Sequence, residues 1–202
     1  MPPKGERRKQ QIINTAKEMF IEKGFQSTHI GQVCEKLNIA RGTVYQYFSN
    51  KKEILYALLD TVIESIDDVL DPDDLKEFMG KKPEPSSVID FINKRISSSI
   101  EMIISEPIVI KLIFKDIVGI DTEVVERVNK SIDSIKAVIA REIEGLIEQG
   151  VFSTKINSRI TASMLVGAIM MLVYEYDRRG ENLLDDNIIN SITATYLSGV
   201  YK

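Results

Sequence analysis

Between positions 41 and 47 the chain gathers Arg41, Thr43, Tyr45, Gln46 and Tyr47 around one aliphatic residue, Val44. A guanidinium, a hydroxyl, a carboxamide and two phenols are binding groups with many hydrogen-bond donors and acceptors. Ile30, Val33, Leu37, Ile39, Val44 and Phe48 fall where two short helices and a tight turn would pack together, which leaves the polar set outside. Two such helices after a longer supporting one form a helix-turn-helix. That unit holds a thin helix at an angle fitting a DNA major groove about 12 Å wide. Taken alone, Tyr45, Tyr47 and Phe48 have plain core packing as their alternative, but in this spacing only Phe48 reads as core.

Other chemistries find little material. One cysteine, Cys34, excludes an intrachain disulfide and a multi-cysteine zinc site, and one histidine, His29, disfavours a metal cluster or a histidine-based triad. His29 reads as structural or solvated and Cys34 as inert. There is no phosphate-binding loop, dinucleotide fingerprint or nucleophile elbow. Carboxylate-only catalysis is the remaining enzymatic alternative, and nothing requires it. The expectation is a non-enzyme without cofactor or metal.

The elements that must position the polar set are helices throughout, by a 3.6-residue period and no convincing strand alternation. They are expected at about 5–23, 28–37, 41–47 and 51–70, then a broken connection with a short helix at 73–79, then 87–105, 107–118, 121–149, 158–179 and 185–200. Gly24 is the expected left-handed stop of the first helix, and Asn38 can take the left-handed turn after the second. Asn50 with Glu53 has the spacing of a capping box. Gly150 and Gly180 stand where C-terminal caps belong. The fold class is all-α: a three-helix DNA-binding domain at 1–50, followed by a helical ligand-binding and dimerisation domain at 51–202.

Charge divides along the chain. Residues 1–52 carry ten basic groups against four acids, or +6, which leaves −10 on the remaining 150 residues. A basic head on an acidic body attracts phosphates at one end, although a charged solvated helix face gives a similar pattern. The longest apolar stretch, 164–174, is about 11 residues, short of the roughly 20 that span a bilayer. The N-terminus does not read as a signal peptide. A cytoplasmic protein without a membrane partner is expected.

The residues Ser27-Thr28-His29-Ile30-Gly31-Gln32-Val33-Cys34, then Ile39-Ala40-Arg41-Gly42-Thr43-Val44-Tyr45-Gln46-Tyr47-Phe48 and Asn50-Lys51-Lys52-Glu53, resemble the DNA-binding domain of the TetR family over about 8–59. The resemblance implies a homodimer, usually a repressor, on pseudo-palindromic double-stranded operator DNA. It gives Thr28 a capping role on the second helix and a phosphate contact. It places Gly42, Thr43, Tyr45 and Tyr47 where backbone and bases are met, and Lys51 where a helix start meets a phosphate. Arg41 and Gln46 are the candidate base readers, because a guanidinium can grip guanine and glutamine can pair with adenine. Two departures are Asn38, where glycine is usual, and Ala40, which lacks the usual small hydroxyl at the start of the third helix. The rival is an interaction module that kept the shape and lost DNA.

For the body, the resemblance places dimerisation on the last two long helices, where Ala162, Ser163, Gly167 and Ala168 permit close approach; core packing would produce the same apolar faces. The preceding helices offer a pocket for a small, mainly apolar effector, with Phe91, Met102, Phe114, Met170 and Tyr174 as wall candidates. Arg95, Lys115 and Asp116 are polar groups that can orient it. The methionines read as core filler in the alternative.

Overall fold

The apolar residues of the N-terminal segment recur at helical spacing, and its first two helices end at Gly24 and Asn38, both with positive φ. The computed structural model describes residues 3–70, 72–80, 84–114 and 122–200. All ten elements among them are helices: α1 (Lys4–Lys23), α2 (Ile30–Leu37), α3 (Arg41–Tyr45), α4 (Lys51–Val69), α5 (Pro72–Met79), α6 (Pro85–Ser105), α7 (Ile108–Phe114), α8 (Thr122–Glu148), α9 (Ser158–Arg179) and α10 (Asp186–Val200). Residues 115–121 lie outside the described residues, so the expected end of the seventh helix at 118 and the candidates Lys115 and Asp116 do too.

The chain forms two compact units, Met1–Glu64 with Glu106–Asn129, and Ser65–Ser105 with Lys130–Lys202. This differs from a division at residue 50. The reason is that described residues on either side of 115–121 are tied to the N-terminal helices. Glu106 pairs with Lys17, Lys111 Nζ donates to the Ile21 carbonyl at 2.8 Å, and Arg127 pairs with Asp60. Local periodicity carries no trace of such long-range bonds.

In the first unit α1 buries Ile12, Ile13, Ala16, Met19 and Phe20. Phe20 meets Phe25 edge-on at 5.2 Å, and Val33, Val44, Phe48, Ile54 and Leu55 close the core. Ile30, Leu37 and Ile39 are only half-buried. Gly24 stops α1 with φ 84° and ψ 155°, an extended positive-φ conformation in place of the expected left-handed helical one. Asn38 does take the left-handed conformation, φ 52° and ψ 50°. At the start of α4, Asn50 Oδ1 accepts from the Glu53 N–H at 3.1 Å, and Glu53 answers by accepting from the Ser49 N–H at 2.7 Å.

The second unit is built on apolar stripes. Val88, Ile92, Ile96 and Ile100 line one face of α6; Ala162, Val166, Ile169 and Val173 line α9; Ile189, Leu197 and Val200 line α10. Asn157 caps α9 by accepting from the Ile160 N–H at 3.0 Å, and Gly180 ends it in the left-handed conformation. The opposite face of α9 stays apolar without being buried. Ile160 is 61% exposed, Met164 70%, and Met171 is exposed too. By length and composition alone α9 is long and apolar enough to cross a membrane, and most of it lies outside this chain's own core. The apolar character thus extends beyond the 11-residue stretch that stands out in the sequence.

Candidate nucleic-acid interface

The short α3 is presented by what lies behind it. Val44 and Phe48 are buried, and after the turn at Asn38 the residues Arg41, Gly42, Tyr45 and Gln46 are exposed. Tyr45 is 53% exposed, which excludes the core alternative for this aromatic. Thr43 and Tyr47 are half-buried. A Cβ added to Gly42 would meet no atom within 4 Å, so the protein itself does not need glycine there. Ala40 is the residue before α3 and supplies no side-chain cap.

Two residues differ from the expectation. Thr28 is 1% exposed, and its hydroxyl donates to the Gly24 carbonyl at 2.9 Å; it ties the turn to the end of α1. The cap position of α2 falls one residue later, at His29, whose N–H donates to Gln32 Oε1 at 2.9 Å. Lys51 is committed to the same turn. Its ammonium donates to the Phe25 carbonyl at 2.6 Å and the Gln26 carbonyl at 3.1 Å, and sits over the Phe25 ring. Burial lowers its pKa from the ordinary lysine value. Lys51 therefore braces the helix-turn-helix whatever else it touches.

A concavity of about 520 Å³ opens on this face, with His29, Gly31, Gln32, Arg41, Tyr45 and Lys51 in its lining. It brings together Thr28, Arg41, Tyr45 and Lys51 from the expected set. Glu35 is its carboxylate. Gly31, quoted above only within the family resemblance, also lines it, and a glycine inside a helix is the signal for it in the sequence. A second groove of about 750 Å³ runs along α1 and α4 between Arg7, Gln10, Asn14, Asp60 and Glu64. Among the described residues no group of three or more metal-ligating side chains is placed to hold an ion.

Of the effector candidates, Phe91, Arg95, Met102, Met170 and Tyr174 belong to the second unit and Phe114 to the first. The structure brings Arg95 and Phe91 together, with the guanidinium 5.2 Å from the ring centre. Arg95 is 7% exposed and spends its donors on the Val69 carbonyl and on Glu142 Oε1, the latter at 3.1 Å. Burial raises the Glu142 pKa from its ordinary value against the opposing effect of Arg95, with Asp74 adding to the rise. Phe91 also stacks on Phe78 at 4.3 Å. Met102, Met170 and Tyr174 are half-buried.

Residues 12–58 match the family model described as bacterial regulatory proteins, tetR family. Over 96% of both chains, this one is 22% identical to the uncharacterized HTH-type transcriptional regulator YhgD of Bacillus subtilis (strain 168). Its fold is similar to that of the fatty acid degradation regulator FadR from Bacillus halodurans, with a TM-score of 0.75, 16% identity and 95% of each chain covered. It is equally similar to SmeT in a complex with triclosan, with a TM-score of 0.75, 17% identity, and 97% of this chain and 92% of that one covered.

Proposed function

With residues 12–58 making the chain a member of the tetR family of bacterial regulatory proteins, we propose that it is a repressor that grips pseudo-palindromic operator DNA as a homodimer and releases it on binding a small, mainly apolar organic molecule. The observation that carries this reading is the outward face of α3. Arg41, Tyr45 and Gln46 stand exposed beside a glycine whose open side serves nothing within the protein. A phosphodiester backbone can approach Gly42 closely, and the side chains around it can meet phosphates and base edges. The +6 charge of residues 1–52 supplies the long-range attraction.

Dimerisation is supported by α9. An exposed row of Ile160, Met164 and Met171 on a capped, ordered helix is costly to leave in water and matches the apolar centre of a subunit interface. Gly167 has open space at its Cβ position, so a partner helix can come close there. For the effector, triclosan with SmeT and the fatty-acid role of FadR favour an apolar organic ligand. A coupling of about 1–3 kcal/mol between effector and DNA would change operator affinity roughly 5–150-fold.

The test is enrichment of bound duplexes by the purified chain from a randomised DNA library. A two-fold-related motif is expected, and a pool that stays random would contradict the reading.

A further inference from the structure

Gly31 is the second residue of α2, and its φ is not positive. The backbone therefore does not require glycine there, and glycine weakens a helix relative to alanine. What does require space there is the Arg41 side chain as it is placed. A Cβ on Gly31 would stand 2.8 Å from Arg41 Nη2, 3.4 Å from Cζ and 3.6 Å from Nε. Three atoms of one planar group at that range mean that the guanidinium lies against the backbone of α2. Among the described glycines of the helix-turn-helix, Gly42 shows the contrast, since a Cβ there meets nothing.

We infer that Gly31 is a positioning residue for DNA binding: by lacking a side chain it seats the Arg41 guanidinium against α2, where Arg41 clamps a backbone phosphate of the DNA. The inference rests on the DNA-binding reading above and changes the role of one residue within it. Arg41 turns back toward α2, while Tyr45 and Gln46 stay on the outward face of α3. It shares its concavity with the Lys51 ammonium, two cations against the Glu35 carboxylate. That arrangement is completed by an incoming anion. The guanidinium fork suits phosphate geometry, and a seated arginine has already given up part of its large rotamer freedom before the DNA arrives.

The experiment measures affinity and its salt dependence for the parent, Gly31→Ala, Arg41→Ala and the double variant. The probes are a duplex that the parent itself enriches from a random library and a scrambled duplex of equal length. Gly31→Ala is expected to fold, because only the far end of a flexible side chain must move. It should lose about tenfold affinity on both duplexes and lower the salt slope by roughly 0.9 per protomer. Adding Arg41→Ala to it should cost little more. Parent-like binding by Gly31→Ala, or losses that simply add in the double variant, would overturn the proposal. If melting shows Gly31→Ala to be unfolded, Arg41→Ala decides: equal loss on both duplexes supports the clamp, and loss confined to the enriched duplex overturns it. A parent that binds neither duplex would overturn the DNA-binding reading and this inference with it.

Discussion

The Lys51 ammonium donates to the Phe25 carbonyl at 2.6 Å and lies 4.4 Å from the centre of the same residue's ring. One side chain at the head of α4 thus fixes the loop between α1 and α2. Lys51→Ala is expected to lower stability by about 1–2 kcal/mol, from a lost charge-assisted bond to a part-buried carbonyl, and to weaken binding to every DNA sequence alike. Thermal melting and fluorescence anisotropy check it. Lost affinity with an unchanged Tm would mean that the lysine serves phosphate alone.

Gly167→Arg should give a folded monomer. The position is exposed and open within the protomer, so the substitution disturbs nothing until a second chain approaches and buries an unpaired charge. Sedimentation of the folded variant is the measurement. A dimer at low micromolar concentration would place the interface elsewhere.

Much of this organisation is legible in the sequence, because caps and periodicity are local. Asn38, Gly180 and the Asn50–Glu53 pair declare their helix ends directly. Thr28 misleads because a threonine before an apolar run looks like a cap, whereas its hydroxyl bonds back to Gly24 across the turn. The bonds of Lys111 and Glu106 to α1 join residues about 90 apart, and no local pattern encodes them. The seat of Arg41 on Gly31 is likewise a matter of close approach between helices.

Glu142 gives a pH prediction with a definite sign. Its pKa is raised, first by burial, with Arg95 opposing and Asp74 reinforcing. The folded state therefore binds this proton more tightly than the unfolded state. The associated stability is fully present below the unfolded value and is lost as pH rises through the folded one. Glu142→Gln, which keeps an acceptor for Arg95, should match or exceed the parent's Tm at neutral pH, and the gap should close as pH falls toward 4.5. A variant melting well below the parent at neutral pH would show that the ion pair outweighs burial.

Met170→Trp enlarges a half-buried side chain on α9. We expect operator affinity to be kept and the response to an apolar inducer to be lost, as read by paired DNA titrations with and without inducer. A parent-like response would place the effector site away from Met170.

The most direct measurement is the affinity of the purified chain for its self-enriched duplex and for a scrambled one across a salt series, with Gln46→Ala alongside. The enriched duplex should bind at least about 10³-fold more tightly. If the dimer neutralises about 6–10 phosphates, affinity should fall roughly 10³–10⁵-fold between 50 and 200 mM salt. Gln46→Ala should relax preference at one position per half-site, at a cost of about 1–3 kcal/mol. Equal affinity for both duplexes with a flat salt response would contradict the account.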